Sequence, residues 1–358
     1  MRQCDILIIG SGYFAEIMAN DLAATAPSPV AVAIAGRNAE RVKWLETAGN
    51  ARSAIYGSRT RFTGLCVELG ASEDVAGLLD RLAPSVVVHA ASLQSPWSVD
   101  SAGSEWSRLV NEAGFGITIA FHATLPLRTA QAIAASGTGA AMVNTCYPDG
   151  VNPLLKAAGM PIACGVGNIA IFSSVIAGTL PFEERGQLRV LAHHNHLVDW
   201  RRPGAERSGV PVRAWIGEQE MSGVQDRFRG IRLPFRDLNV VSGASAVPVL
   251  LALAGGGELR THVPGPAGLP GGYPVRISGG RIALDLPAAI SQEEAVAWNG
   301  QFTDADGVAV GADGWVRYSP RARQALGRYS KDLAEGFPVS ELDAARDALN
   351  ELRSRLGG

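Results

Sequence analysis

The sequence is poor in cysteine, has no excess of charge of either sign, and lacks a long apolar run. Four cysteines occur among 358 residues, and 32 lysine plus arginine residues nearly balance 34 aspartate plus glutamate residues, for a formal net charge of -2. This balance gives no basic surface of the kind that binds nucleic acid or an anionic membrane. The cysteines are scattered without a C-x-x-C pair, which argues against a thiolate zinc site or a disulfide framework.

The apolar runs are short. The first of them, Ile6 to Ile9, is far shorter than the core of a signal peptide, and none approaches the ~20 residues of a membrane span. We therefore expect a cytoplasmic protein whose partners are small molecules, with no nucleic acid and no membrane among them. A chain of 358 residues that is 47% hydrophobic is long enough for more than one compact core.

Strands and helices alternate through about residue 166. The predicted strands are near-continuous apolar runs, as in buried parallel sheets. They are Ile6–Ile9, Val30–Ala35, Phe62–Glu68, Ser85–His89, Ala140–Thr145 and Ile162–Gly165. Between them, helical spacing of alanine and leucine predicts Phe14–Ala24, Ala39–Ala48, Ser72–Leu82 and Ala120–Ala135. The pattern predicts an α/β fold, a doubly wound parallel sheet of the Rossmann type, forming a dinucleotide-binding domain over residues 1–166.

The second half has a different pattern, which predicts an α+β substrate domain over residues 167–337. A helix over Ile169–Thr179 precedes segments of β character that glycine, proline and charged residues separate. These segments are Leu188–Trp200, Val212–Ile216, Val275–Ile277, Ile282–Leu286 and a hairpin over Val308–Tyr318. Pro248 is expected to open a short helix, Val249–Leu253, and Pro264–Gly272 to form a loop. Residues 338–358 predict an amphipathic helix that packs back on the first domain or supports a homodimer.

The first strand runs into a glycine-rich turn and then a helix, the context in which a dinucleotide-binding motif is informative. The motif is G-x-G-x-x-A, with Gly10, Gly12 and Ala15 at its fixed positions and Tyr13 and Phe14 between the last two. The first glycine permits a tight turn, the second lets the backbone approach a pyrophosphate, and the alanine lets helix and strand pack closely. The alternative is a tight turn without a ligand.

The end of the second strand bears on the choice between NAD and NADP. Arg37 and Asn38 stand where an NAD-binding fold usually places an acidic residue for the ribose. Because a guanidinium can hold a 2′-phosphate, with Arg41 one turn later to assist, we expect NADP, with NAD as the alternative. Ala91 and Ser92, at the end of the fourth strand, are small residues that leave room for the cofactor.

Two resemblances follow from these segments. Gly10 to Ala15, Ala35 to Arg41 and Val86 to Ser92 resemble the cofactor domain of saccharopine dehydrogenase-like reductases. The later layout, with Val143 to Pro153 followed by Gly165 to Asn168, is similar to that of the lactate and malate dehydrogenase group. The second resemblance implies that Asn144 contacts substrate and cofactor. The aspartate and arginine that this group places on the next helix are missing here, which argues against a simple 2-hydroxyacid dehydrogenase.

Three of the six histidines fall in one apolar segment, Ala192 to Trp200. On a strand, His194 and His196 would share one face. Because hydride transfer to a carbonyl or imine needs a proton donor near neutral pH, we expect His194 or His196 to be the catalytic acid and base. The alternatives are a metal site with Asp199 and solvent-facing histidines without a role, and the preferred interpretation assigns no metal.

Four further residues are candidate substrate contacts. Gln94 and Trp97 follow the fourth strand, Arg201 is the arginine nearest the histidines in sequence, and Tyr273 follows a glycine pair. The sequence thus predicts an NAD(P)-dependent oxidoreductase that transfers a hydride to or from a small polar substrate, either an amino-acid-derived imine or an oxo or hydroxy acid. The alternatives are a non-catalytic dinucleotide-binding sensor and a metal- and NAD-dependent lyase or hydrolase.

Overall fold

Six parallel strands form the central sheet. The structure is a computed structural model that describes residues 4–69, 72–95, 103–234 and 237–358. The strands lie in the order β3-β2-β1-β4-β5-β6. Their bounds are β1 Ile6–Ile9, β2 Ala31–Gly36, β3 Arg61–Cys66, β4 Val86–His89, β5 Ala141–Asn144 and β6 Cys164–Gly165. This is the predicted Rossmann fold, and every predicted strand of the first half is present with small changes in its bounds.

The order of strands reverses beside β1. Ile9, the last residue of β1, pairs with Ala35 of β2 on one side and with His89 of β4 on the other. The chain therefore builds the sheet outward in both directions from this point. In open α/β sheets, ligands bind beside the carboxyl ends of the strands at such a reversal. The turn at Gly10 leaves β1 at this position.

Helices cover both faces of the sheet because alternate residues of each strand point to opposite sides. Leu7 of β1 belongs to one apolar core, whereas its neighbour Ile8 belongs to the other. The helices of the first half are Tyr13–Thr25, Ala39–Ile55, Ser72–Leu82, Glu105–Ala113, Ile119–Ser136 and Pro148–Ala157. Two of these, Glu105–Ala113 and Pro148–Ala157, are absent from the sequence prediction.

The second half contains three antiparallel sheets of three strands each among the described residues. Their strands are β7 Leu188–Leu191, β8 Arg213–Ile216 and β9 Gln219–Glu220; β10 Leu259–Pro264, β11 Gly272–Ser278 and β12 Arg281–Leu284; and β13 Val308–Val310, β14 Trp315–Tyr318 and β15 Phe337–Pro338. The helices are Ile169–Ala177, Phe182–Arg185, Asn195–Trp200, Val224–Arg227, Leu238–Gly255, Gln292–Gly300, Thr303–Asp306, Pro320–Gly327, Lys331–Ala334 and Leu342–Arg355. The extra sheets form the second, α+β part of the fold.

The last sheet and the last helix pack on the first half of the chain. Val316 of β14 and Phe337 of β15 lie in the same apolar core as Leu7 of β1. Helix Leu342–Arg355 lies against helix Ile119–Ser136 and buries Leu349 completely. The amphipathic stripe of this helix is therefore accounted for within one chain.

Helix Leu238–Gly255 is long and apolar enough to span a membrane by length and composition alone, with a mean hydropathy of 1.8 and half of it buried. It packs against helix Tyr13–Thr25. The two helices come so close at Gly243 that a Cβ added there would lie only 2.5 Å from the Ile17 side chain. Packing against the fold accounts for its apolar face. The predicted short helix Val249–Leu253 is the second half of this helix, and Pro248 lies inside it rather than at its start.

The predicted strand Leu188–Trp200 is wrong beyond its first four residues. β7 ends at Leu191, and a helix runs over Asn195–Trp200. The amide of Leu197 donates to the carbonyl of His194 at 2.9 Å, so this segment is helical when it passes the histidines. The β7–β8 ladder ends at the pair Leu191 and Arg213, and Ala192 forms one isolated bridge to Gly272 before the helix begins.

Candidate functional site

The turn after β1 has the geometry that the dinucleotide motif requires. Gly10 has a φ of 124°, and a Cβ there would lie 2.4 Å from the carbonyl oxygen of Ala90. At Gly12 a Cβ would meet nothing within 4 Å, so the backbone is open to an approaching group. Ala15 is fully buried where helix Tyr13–Thr25 packs on the sheet. A pyrophosphate fits this turn because the free amides at the helix N-terminus face it.

The two aromatic residues of the motif differ in exposure. Tyr13 is 58% exposed, and Phe14 is partly buried against the core beneath the sheet. The Tyr13 ring is therefore presented to solvent at the glycine turn, whereas Phe14 contributes to packing.

Of Arg37, Asn38 and Arg41, the residues after β2 that the sequence points to, only Arg37 has no hydrogen bond from its side chain to a described residue. Asn38 caps helix Ala39–Ile55, its side-chain oxygen accepting from the Arg41 amide at 2.9 Å. The guanidinium of Arg41 donates to Glu16 at 2.7 Å and to the Ser11 carbonyl at 3.1 Å, so it is tied to the glycine turn. Arg37 is exposed at the carboxyl end of β2.

Hydrogen bonds of Ala91 and Ser92 hold the chain at the end of β4. The Ala91 carbonyl accepts from the His89 ring at 2.7 Å and from the thiol of Cys146 at 3.2 Å. The Ser92 hydroxyl donates to the backbone carbonyl of Gln94 at 2.7 Å, and the Gln94 side chain is buried. Trp97 lies outside the described residues.

Asn144 ends β5 and is fully buried. Its amide donates to the Cys146 carbonyl at 3.0 Å and to the Asn152 side chain at 2.9 Å, and its oxygen accepts from the Cys146 amide at 2.9 Å. These bonds fix the turn that leads into helix Pro148–Ala157. Asn144 therefore stabilises the turn between β5 and the helix through its side-chain hydrogen bonds.

A concentration of buried polar groups surrounds His194. Its Nε2 lies 2.7 Å from Asp306 Oδ1, and its Nδ1 lies 4.0 Å from Asp149 Oδ2. The Tyr147 hydroxyl donates to Asp306, and the Asn168 amide donates to Asp149. We call these five residues the His194 cluster.

Four separate parts of the chain bring the His194 cluster together. Tyr147 and Asp149 stand at the start of the helix that follows β5, and Asn168 immediately precedes the helix that follows β6. His194 follows β7, and Asp306 ends helix Thr303–Asp306. The cluster therefore lies at the carboxyl edge of the central sheet, the same edge as the glycine turn.

The charge on His194 follows from its two carboxylates. Burial by itself would lower its pKa, but the charge and hydrogen bond of Asp306, with Asp149 beyond, raise the pKa of His194 to about 9. Burial would likewise raise the pKa of Asp306, but the charge of His194 and the bonds from His194 and Tyr147 lower it. Asp306 and His194 therefore form a buried ion pair at neutral pH. Burial raises the pKa of Asp149.

His194 Nδ1 and Asp149 Oδ1 are buried without a hydrogen-bond partner among the described residues. An unpaired buried polar atom costs free energy, about 1–3 kcal/mol each. A ligand hydroxyl that accepts from His194 and donates to Asp149 would satisfy both atoms. These two unsatisfied atoms are therefore the polar groups of the cluster that a substrate could pair with.

His196 has a different environment, and the prediction that it shares a face with His194 is wrong because both residues lie on the helical turn after β7. Its ring stacks on Trp298 at 5.5 Å with an interplanar angle of 15°, and its Nδ1 lies 3.0 Å from the backbone amide and 2.9 Å from the backbone carbonyl of His193. Burial lowers the pKa of His196 to about 4. His196 is thus a neutral residue that orders the turn.

Ligand atoms of Asp149, His193 and His194 lie within 4.8 Å of one another, which raises the question of a metal site. The Asn195 amide donates to His193 Nδ1 at 3.3 Å, so a neutral His193 ring carries its proton on Nε2 and has no further lone pair to offer. Asp199, the carboxylate considered from sequence, instead accepts from the Ser208 amide. Of the three grouped residues, Asp149 and His194 alone therefore remain available as metal ligands.

Tyr273 and Arg201, the remaining predicted substrate contacts, differ in their relation to His194. Tyr273 is fully buried, and its hydroxyl donates to the Pro270 carbonyl at 2.6 Å, so its ring and hydroxyl are both occupied by the fold. Arg201 is near enough that its charge acts on His194, lowering the pKa of that histidine against the effect of the aspartates.

Sequence reasoning missed four members of the His194 cluster. Tyr147 and Asp149 lie within four residues of the end of a predicted strand, and this place at the carboxyl end of β5 is a signal that could have found them. Asn168 follows β6 in the same way. Nothing in the sequence marks Asp306, because its meeting with His194 depends on how the third small sheet folds back on the first half.

Comparisons with known proteins give a match in fold alone. No protein-family model and no curated protein matches the chain. A lactate dehydrogenase from Cryptosporidium parvum, solved with lactic acid and nicotinamide adenine dinucleotide, superposes with a TM-score of 0.51 at 13% identity, covering 84% of this chain and 96% of its own. The chain therefore has the fold of this dehydrogenase, which confirms the predicted layout. The resemblance to saccharopine dehydrogenase-like reductases stays a prediction.

Two malate dehydrogenases are further structural neighbours. The one from C. parvum has a TM-score of 0.47 at 14% identity, over 84% of this chain and 96% of its own. The one from Plasmodium falciparum has a TM-score of 0.49 at 11% identity, over 83% of this chain and 97% of its own.

Proposed function

We propose that the protein is an NAD(P)-dependent oxidoreductase in which His194 is the catalytic acid and base. The observation that carries the proposal is the placement of His194, held between Asp306 and Asp149 at the sheet edge that also bears the Gly10 turn. A buried imidazole paired with a carboxylate is the arrangement that general acid–base catalysis uses. The fold shared with a lactate dehydrogenase supports the same conclusion.

The chemistry of the chain's own groups is proton transfer. The nicotinamide, when bound, supplies or accepts the hydride. In the reducing direction His194, protonated at neutral pH, donates the proton on Nδ1 to the substrate oxygen or nitrogen as negative charge develops there. In the oxidising direction the neutral ring takes that proton back. Asp306 stabilises the imidazolium throughout, because it faces the other ring nitrogen.

The proposed substrate is a small hydroxy or oxo acid, or an imine derived from an amino acid. The neighbouring dehydrogenase was solved with lactic acid, which supports the first class. The saccharopine-type resemblance of the first hundred residues supports the second. Arg201, the arginine that follows the histidines most closely in sequence, is the proposed partner of a substrate carboxylate.

The proposed cofactor preference is NADP, with NAD as the alternative. Arg37 is exposed at the end of β2, and an acidic residue that would repel a 2′-phosphate is absent from that position. Residues 1–166 are the proposed cofactor domain, and the proposed location is the cytoplasm.

The experiment that tests the proposal measures binding and turnover separately. NADPH and NADH are titrated against the purified protein by nicotinamide fluorescence, and a panel of oxo acids and imines is then assayed for cofactor oxidation. The variant His194→Gln should bind cofactor as the native protein does and lose about a hundredfold or more in turnover. His196→Gln tests the other predicted histidine; the glutamine amide can replace the ring nitrogen in its bond to the His193 backbone, so this variant should retain most of the activity. Binding without turnover over the whole panel would favour a sensor instead.

A further inference from the structure

Each carboxylate beside His194 has its own neutral hydrogen-bond donor. The Tyr147 hydroxyl donates to Asp306 Oδ2, while His194 faces the other oxygen of that carboxylate. The Asn168 amide donates to Asp149. The two donors come from different segments, one after β5 and one after β6, so the arrangement is not a by-product of a single turn.

The backbone at both donors is in a conformation that side chains rarely adopt. Tyr147 has a φ of 44° and Asn168 a φ of 36°. Such conformations cost about 1–3 kcal/mol each and persist where the surroundings hold them. In each case the unusual backbone carries the side-chain donor to a buried carboxylate at the site.

A histidine between two carboxylates has a chemical problem. Both anions stabilise the imidazolium, so the ring gives up its proton only reluctantly. A donor bonded to a carboxylate withdraws part of its negative charge and makes it a weaker partner for the imidazolium. Two such donors would bring the proton affinity of His194 back toward the range in which it can both give and take a proton.

We propose that Tyr147 and Asn168 are positioning residues that fix the two carboxylates and weaken their hold on the His194 proton. The catalytic consequence rests on the proposed function, but the effect on His194 itself does not. The principal member is Tyr147, because the carboxylate that it contacts is the one in direct contact with His194.

Other groups also face His194 and are common to every variant compared. His193 and His196 lie on its own turn, and the charge of His194 adds to burial in lowering the pKa of both. Arg201, at the end of the same helix, lowers the pKa of His194. Tyr147 itself packs against the rings of Phe115 and His122. A change at Tyr147 that keeps the ring therefore leaves this packing in place.

The test follows the six histidine rings of the full-length protein by NMR after ¹⁵N-histidine labelling, with His194→Gln used to assign the His194 signal. In Tyr147→Phe the titration midpoint of His194 should rise, by about half to one pH unit, because Asp306 keeps its full charge. Tyr318→Phe is the matched control: Tyr318 is a buried tyrosine of the same core whose hydroxyl has no hydrogen-bond partner among the described residues. The titration midpoint of His194 in Tyr318→Phe should equal that in the native protein.

A second variant covers the case in which Tyr147→Phe does not fold. Asn168→Gly removes the donor to Asp149 and accepts the positive φ, and it should raise the His194 midpoint by a smaller amount, because Nδ1 lies 4.0 Å from Asp149. An unchanged or lowered midpoint in the folded variants would overturn the proposal. Because the titration needs neither cofactor nor substrate, its failure is distinct from that of the oxidoreductase proposal. If both proposals hold, Tyr147→Phe also moves the pH profile of kcat upward while KM changes little.

Discussion

His194 and Asp306, far apart in the sequence, form a buried pair with 2.7 Å between Nε2 and Oδ1. Removing the charge of Asp306 shows how much this carboxylate raises the pKa of His194. In Asp306→Asn the pKa of His194 should fall from about 9 toward or below its ordinary value, because burial then opposes the imidazolium. We expect turnover in the reducing direction at pH 7.5 to fall about a hundredfold. The pH profile of kcat checks this, and a profile identical to that of the native protein would refute the role of Asp306.

The same pair makes stability depend on pH. The pKa of His194 is about 9 in the folded protein against about 6.5 when unfolded, so its contribution is fully present below pH 6.5 and is lost as the pH rises through 9. The contribution is at most about 3 kcal/mol. Urea unfolding at pH 6 and pH 10 measures it. His194→Gln is the control and should show a smaller loss of stability between these pH values.

The two glycines of the turn should respond differently to alanine. Gly10→Ala places a Cβ 2.4 Å from the Ala90 carbonyl at a φ of 124°, so we expect it to destabilise the fold by about 2 kcal/mol or more. Gly12→Ala meets nothing within 4 Å and should fold normally. If the pyrophosphate lies against Gly12, that variant loses about tenfold or more in NADPH affinity. Thermal unfolding and fluorescence titration separate the two effects, and tight NADPH binding by Gly12→Ala would argue against this location.

Arg37 is the residue on which the choice of cofactor depends. Arg37→Ala should weaken NADPH binding by about tenfold and leave NADH binding nearly unchanged, because only NADPH carries the 2′-phosphate. Arg41→Ala is the contrasting variant: Arg41 is bonded to Glu16 and the Ser11 carbonyl, so its loss should affect both cofactors alike. Equal losses for NADPH and NADH in Arg37→Ala would reverse the assignment.

The sequence predicted the central sheet because its signals are local. A run such as Val86–His89 is apolar at every position, as a strand buried on both faces must be, and the glycine turn after Ile9 has a fixed spacing. The second half was harder. Its histidine segment combines apolar and polar residues in a pattern compatible with a strand, but the β7–β8 ladder ends at Leu191 and the chain then turns into a helix.

The candidate site was predicted in part for the same reason. His194 stood out by residue type, since a histidine pair in an apolar segment is unusual. Its partners did not, because Asp306 reaches it through packing of the third small sheet against the first half. Tertiary contacts of this kind leave no periodicity in the sequence. Tyr147 and Asn168 have positive φ angles, which their residue types do not predict.

A crystal structure with NADPH bound tests the central claim most directly. The quantity to measure is the distance from the nicotinamide C4 atom to Nδ1 of His194. If His194 passes the proton while the hydride moves, a substrate carbonyl must fit between them, which requires roughly 6–7 Å. A nicotinamide ring beside Asn144 and the His194 cluster at that distance is the result we predict. A ring more than about 10 Å away, or one directed toward the opposite edge of the sheet, would contradict the account.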